Sequence, residues 1–338
     1  MQSITDLIAR LPKAELHIHL EGSLEPDLLF QLAERNRLSL AYDSVDALRS
    51  AYVFSNLQEF LDIYYVGMQV LQTDSDFYDL AMAYFRRAIS DNVRHAEVFF
   101  DPQAHLSRGV PIGAVVSGMT SAVADARGLG LSVYLIPCFL RHLSAESAQD
   151  TLSQLQPYLD KFHAIGLDSS ELDNPPSQFC DVFERARRYG LKTVAHAGEE
   201  GPPDYIWQAL DLLQVDRIDH GNRAIEDNKL ISRLAQSGTP LTMCPLSNLK
   251  LGAVDKLEEH PLGYMLEEGL VVTVNSDDPA YFGGYINENF LQVAAALQLS
   301  AEHIICLARN SFKASFLPAE EKVLWQNEIS AIEQVLTS

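Results

Sequence analysis

His17-Ile18-His19 places two imidazoles one residue apart inside an apolar run. On a β-strand, side chains alternate between faces, so both rings project to one side while Ile18 points away. Two imidazoles on one face can grip one metal ion. Three further fragments carry matching chemistry: His196-Ala197-Gly198-Glu199, Asp219-His220-Gly221 and Ser276-Asp277-Asp278. Each follows an apolar run, so each reads as the end of a strand. His196 is the natural third nitrogen ligand, and Asp277 or Asp278 the natural oxygen ligand, of a site that zinc accepts. A lone H-x-H means little; four such strand ends in one chain point to a hydrolytic metalloenzyme.

Two groups are left for proton chemistry. Glu199 lies three residues past His196, in the turn after the strand, where a carboxyl can exchange a proton with substrate without ligating metal. His220 can stabilise charge in the transition state. Alternation along a strand predicts that Asp277 and Asp278 divide their roles, one on the metal and the other on the substrate or the reacting water. The remaining histidines (His95, His105, His142, His163, His260 and His303) have no such context and read as structural.

Strand ends can converge only if the strands share a sheet. Eight strand candidates run in order over residues 15–20, 93–100, 132–140, 162–167, 193–197, 217–220, 241–245 and 271–276. Helical patterns separate most of them. Phe77, Leu80, Ala81, Tyr84, Phe85, Ala88 and Ile89 form a stripe at helical spacing. Ile206, Leu210 and Leu213 follow Pro202-Pro203, which suits a first helical turn. Strands alternating with helices predict a parallel sheet, and eight units predict a (β/α)₈ barrel with its site at the C-terminal strand ends. Residues 21–92 exceed the repeat and predict several helices placed as a lid. Residues 285–338 predict at least two more. No linker divides the chain, so residues 1–338 read as a single barrel domain.

Composition narrows the partners. The 338 residues carry a net charge of -21, which repels nucleic-acid backbones and anionic membranes. No Gly-rich phosphate loop is present. Cys138, Cys180, Cys244 and Cys306 form no C-x-x-C pair and read as small hydrophobes in a reducing compartment. The first twelve residues do not read as a signal peptide, and no apolar run approaches the roughly 20 residues that span a bilayer. A cytoplasmic enzyme with a small-molecule substrate is the expectation.

The motifs together resemble the adenosine/adenine deaminase family of the amidohydrolase superfamily. The resemblance runs through Pro12-Lys13-Ala14-Glu15-Leu16-His17-Ile18-His19-Leu20-Glu21-Gly22, His196-Ala197-Gly198-Glu199, Asp219-His220-Gly221 and Asn275-Ser276-Asp277-Asp278-Pro279. It implies one zinc on His17, His19, His196 and Asp277. It implies Glu199 as proton donor to the purine ring nitrogen beside the reacting carbon, His220 near the reacting water, and Asp278 against the purine. Gly166-Leu167-Asp168-Ser169-Ser170-Glu171 and the run from Glu199 to Tyr205 resemble the adenine-deaminase branch. Nucleoside deaminases similar to this chain carry Gly in place of Glu171 and Asp in place of Glu21. The implied reaction is hydrolysis of adenine to hypoxanthine and ammonia, as in purine salvage. Ser169 and Glu171 are expected at the substrate, with Glu171 accepting an N–H that only the free base has. Adenosine or an N6-substituted adenine is the alternative substrate.

Three other readings compete. The His/Cys/Cys zinc of nucleic-acid deaminases needs H-x-E together with P-C-x-x-C, and no P-C-x-x-C is present. A binuclear amidohydrolase usually has a bridging lysine at the end of strand four, where Leu167-Asp168-Ser169-Ser170 stands instead. A non-catalytic, metal-stabilised binding protein would be expected to lose Glu199 or His220, and both are retained.

Overall fold

The computed structural model describes residues 4–337. Eight parallel strands follow one another around the sheet in sequence order. They are β1 (Lys13–His19), β2 (Val93–Phe100), β3 (Ser132–Leu140), β4 (Ala164–Asp168), β5 (Lys192–Ala197), β6 (Arg217–His220), β7 (Leu241–Met243) and β8 (Val272–Val274). This is the expected (β/α)₈ barrel. β7 and β8 are shorter than expected. Pro245, which starts the Pro245–Lys250 helix, has no N–H for a ladder. Beyond Val274, side chains replace the ladder: Asn275 Oδ1 accepts from the Leu16 N–H at 2.9 Å, and Glu15 Oε1 accepts from the Ser276 N–H at 3.1 Å.

The barrel closes at that seam. The His19 N–H donates to the Asp277 carbonyl at 3.0 Å, and the Asp277 N–H to the His17 carbonyl at 3.1 Å. His17, His19 and Asp277 are thereby brought into register.

Between β1 and β2 the chain forms helices Pro26–Arg35, Val45–Ala51, Leu57–Gly67 and Asp74–Ser90. The last carries the predicted stripe. Phe77, Leu80, Ala81, Tyr84, Phe85 and Ala88 are buried, and a capping box of Thr73 and Asp76 begins it. Helix Leu57–Gly67 is capped by the Asn56 side chain and buries Leu57, Phe60, Leu61 and Tyr64. After β8 and the short helix Pro279–Phe282 come Ile286–Ala296, Ala301–Ala314 and Ala319–Thr337. No helix among the described residues is long and apolar enough to cross a membrane.

The barrel interior holds charge as well as apolar side chains. Arg217 on β6 is fully buried. It donates to Glu97 on β2, to the Leu16 carbonyl at 3.0 Å and to Asp219 at 3.4 Å. Burial alone would raise the Glu97 pKa, but the Arg217 charge and a hydrogen bond with His95 hold it down to about 2.

A carboxyl with a depressed pKa stabilises the fold above its unfolded value and loses that contribution as pH falls through the folded one. The Glu97 contribution should be complete above about 4.5 and fade toward about 2. Glu97→Gln deprives Arg217 of the nearer of its two carboxyl partners. Urea unfolding at neutral pH should show a loss of roughly 3–5 kcal/mol. A change below about 0.5 kcal/mol, the level of an ordinary surface substitution, would contradict the pairing.

Candidate metal and proton-transfer site

The strand ends deliver the predicted residues to one cavity of ≈ 380 Å³ at the C-terminal mouth of the barrel. His19, His196, Glu199, His220, Asp277, Asp278 and Ser169 all line it. Helix Leu57–Gly67 covers it with Leu57, Phe60, Leu61, Tyr64 and Tyr65.

Donor atoms of His17, His19, His196 and Asp277 lie within 4.8 Å of one another. His19 Nε2 is 3.1 Å from His196 Nε2. Asp277 Oδ1 is 3.2 Å from His17 Nε2 and 3.5 Å from His19 Nε2. Such spacings fit donors about 2.0–2.2 Å from a shared centre. The protonation states fit as well. Thr242 Oγ1 donates to Asp219 at 2.8 Å, so toward His17 Nδ1, 2.9 Å away, it accepts. The hydrogen of His17 therefore sits on Nδ1, and Nε2 presents a lone pair. That nitrogen is buried without a hydrogen-bond partner, as expected of a metal ligand whose other nitrogen is anchored. Burial lowers the His19 pKa to about 4 and the His196 pKa well below its usual value, keeping both rings neutral.

The carboxyls divide into two classes by environment. Burial alone would raise Asp277, but the surrounding His17, His220 and His19 hold it well below the usual carboxylate range. Burial pushes Glu199 well above its usual value, and the charges of Asp277, Glu200 and Glu171 add to the effect. Asp278 is raised in the same way by burial and by Asp277. Glu199 and Asp278 are thus pushed toward the protonated form, and Asp277 toward the ionised one.

Both Asp277 and Asp278 reach the cavity, but strand alternation is not the reason. Asp277 lies past the end of β8 with φ +62°, in the left-handed region. This twist turns two neighbouring side chains toward one space. His220 and Ser169 share the conformation, with φ +62° and +73°, a pattern that concentrates at functional sites. Asp278 also requires Gly22, because a Cβ there would stand 1.8 Å from Asp278 Oδ1.

Glu171 differs from its expectation. Its Oε1 accepts from the Gly198 N–H at 2.7 Å, and its Oε2 from the N–H groups of Glu199, Glu200 and Gly201 at 3.0, 2.8 and 2.8 Å. A carboxylate has about four lone-pair sites, and four amides occupy them. Glu171 does not line the cavity; it clamps the turn that carries Glu199. The clamp also fixes Gly201, where a Cβ would meet Glu171 Oε1 at 2.6 Å. Ser169 lines the cavity, but its hydroxyl already bonds Tyr65 at 3.0 Å and His142 at 2.7 Å.

Several participants escaped sequence reasoning. Asp101 and Asp168, just past β2 and at the end of β4, line the cavity as buried carboxyls, each with an unpartnered Oδ1. Burial, with the charges of Asp168 and Glu21, raises Asp101 well above its usual pKa. Burial raises Asp168 to about 7. An acid directly after the apolar Phe99-Phe100 run was the same signal that singled out the other strand ends. Glu21 bonds His105 at 2.7 Å beneath them. Asn248 and His260, discussed below, offered no signal in sequence.

Comparison with known proteins finds relatives over nearly the whole chain. The family model described as adenosine deaminase matches residues 12–332. An adenine deaminase of Sphingopyxis alaskensis is 58% identical over 316 residues, covering 93% of each chain. One from Trichlorobacter lovleyi is 54% identical over 335 residues, covering 98% of this chain and 96% of the relative. The crystal structure of an adenine deaminase from Arthrobacter aurescens superimposes with a TM-score of 0.94 at 49% identity, covering 96% of this chain and 99% of that one. An amidohydrolase from Burkholderia ambifaria, solved with bound zinc, gives 0.90 at 26% identity, covering 100% and 96%.

The Glu171 clamp is testable without any activity. Glu171→Gln replaces one acceptor oxygen by a donor that faces amide N–H groups. Each buried N–H left unpaired costs about 1–3 kcal/mol. Amide exchange at residues 198–201 should accelerate by at least tenfold while the barrel strands stay protected. Unchanged protection of that turn would remove Glu171 from its support.

Proposed function

The chain belongs to the adenosine deaminase family, and on that premise we propose that it is a zinc-dependent adenine deaminase, converting adenine and water to hypoxanthine and ammonia. Relatives bearing the name adenine deaminase cover nearly the whole chain at 54% identity or more. The structural observation that carries the choice of a free, uncharged base is the lining of the cavity. Asp101, Asp168, Glu199, Asp277 and Asp278 face it, and among the described residues no lysine or arginine does. A nucleotide phosphate would meet carboxyls there instead of the basic partners it needs.

Held by His17, His19, His196 and Asp277, zinc would supply a water with its pKa lowered toward neutrality. The other roles belong to side chains. Glu199, pushed toward its protonated form by burial, delivers its proton to the ring nitrogen beside the amino-bearing carbon. This removes the negative charge that addition of water would leave on the ring. His220 Nε2 stands 3.5 Å from Glu199 and 3.7 Å from Asp277, where a hydrogen bond can hold the attacking oxygen. Asp278, an uncharged acid, donates to a ring nitrogen. The apolar face of helix Leu57–Gly67 excludes water above the ring, and we read it as the lid.

Asp101 takes the part that sequence had assigned to Glu171. Burial, with the charges of Asp168 and Glu21, favours its protonated form. Its unpartnered Oδ1 accepts the N–H at the imidazole edge of the free base without leaving a buried charge. Adenosine has no hydrogen at its glycosidic nitrogen and adds a ribose.

Ammonia release across adenine, adenosine and AMP tests the reading. Adenine should be turned over far better than the other two. Asp101→Ala should lower kcat/KM for adenine about 10- to 100-fold, the value of one lost hydrogen bond of 1–3 kcal/mol. Comparable kcat/KM for adenine and adenosine in the parent would overturn the assignment.

Glu199→Gln is nearly isosteric but has no acidic proton. The variant should keep its fold and one zinc per chain while kcat falls roughly 10²–10⁴-fold. Near-normal turnover in that protein would remove Glu199 from the proton transfer. Glu200→Gln, on the neighbouring half-buried carboxyl, serves as the control.

A further inference from the structure

A backbone amide cannot reverse its polarity, so a hydrogen-bond chain that begins on one has a fixed direction. Such a chain ends on His220. The Leu262 N–H lies 3.2 Å from His260 Nδ1, which must therefore accept and carry no hydrogen. His260 then holds its hydrogen on Nε2, 3.1 Å from Asn248 Oδ1. That contact orients the amide, with its oxygen toward His260 and its nitrogen 3.3 Å from His220 Nδ1. An amide nitrogen only donates, so His220 Nδ1 is bare and the ring hydrogen sits on Nε2. On the cavity side Nε2 faces the carboxyl groups of Glu199 and Asp277 at 3.5 and 3.7 Å. Asn248 and His260 are 0% and 3% exposed, which keeps solvent from competing for these bonds.

We propose that Asn248, its amide held in place by His260, is a positioning residue that keeps His220 as a neutral Nε2–H donor toward the reacting oxygen. His220 then steadies that oxygen and accepts no proton from it at that nitrogen. What the donor acts on rests on the deaminase reading; the tautomer itself does not.

The experiment is NMR of ¹⁵N-histidine-labelled, zinc-loaded protein, with His220 assigned by its loss in His220→Gln. The parent should show hydrogen on Nε2 and a bare Nδ1. Asn248→Asp keeps the shape but offers an acceptor in place of the donor, so Nδ1 should gain a hydrogen. In that variant kcat for adenine should fall about 10²–10⁴-fold, as for a histidine held in the wrong tautomer, with KM and zinc content close to the parent values. His260→Gln keeps an N–H toward Asn248 and should leave the His220 tautomer unchanged. A parent spectrum with hydrogen on Nδ1 overturns the proposal. So does a His220 tautomer that ignores Asn248→Asp in a folded variant. Should that variant not fold, the parent spectrum alone decides. A parent that releases no ammonia from adenine would refute the deaminase reading, and the same spectra would still decide the tautomer.

Discussion

Everything at the mouth of the barrel depends on the seam between β1 and β8. Two backbone hydrogen bonds join Asp277 to His17 and His19. They fix the spacing of three candidate ligands through the main chain, where it is stiffest. Around them the ladder gives way to side chains. Glu15, buried and raised to about 7, receives Tyr84, the Ser276 N–H and the Ser276 hydroxyl. Asn275 bridges Leu16 and Met243. A regular β8 would have carried Asp277 past the seam in extended form. The left-handed turn at Asp277 instead brings its carboxyl and that of Asp278 into the same cavity.

The cavity gathers acids that cannot all be ionised together. Their protonation is sorted by what lies beside each. The histidines around Asp277 favour its charged form. Apolar cover and neighbouring carboxyls favour the uncharged forms of Glu199, Asp278 and Asp101. The helical insertion contributes directly, because Leu57, Phe60, Leu61 and Tyr64 line the cavity. The full positive charges below the cavity are kept apart from it. Arg217 is spent on Glu97, Asp219 and a carbonyl. Arg141 is bound to the carbonyls of His196 and Asn174. Positive charge therefore braces the strand ends without entering the substrate space.

Single histidines reach the site through partners that settle their protons. Asp219 and Thr242 settle His17, and the path from Leu262 through His260 and Asn248 settles His220. The first path begins at a buried carboxyl held by Arg217 and the second at a main-chain amide. The geometry for ligation and for hydrogen-bond donation is set before any substrate arrives.

The amino-acid sequence by itself determined the alternation of strands and helices, and hence the barrel, because hydrophobic periodicity is local and repeats along the chain. It also determined which strand ends carry histidine and carboxyl groups, since these follow apolar runs within a few residues. Relationships across the barrel were decided only by tertiary structure. Glu171 looked like a substrate ligand from its place after β4, yet four amides of a turn beyond β5 claim its oxygens. Asp277 and Asp278 looked opposed, until a positive φ set their directions. His260 looked structural, and only a contact with Asn248, itself against a ring on another strand, gives it a part in the site. Local pattern reports the type and spacing of groups along one element. Which lone pair meets which hydrogen depends on elements up to 297 residues apart, and no periodicity encodes that.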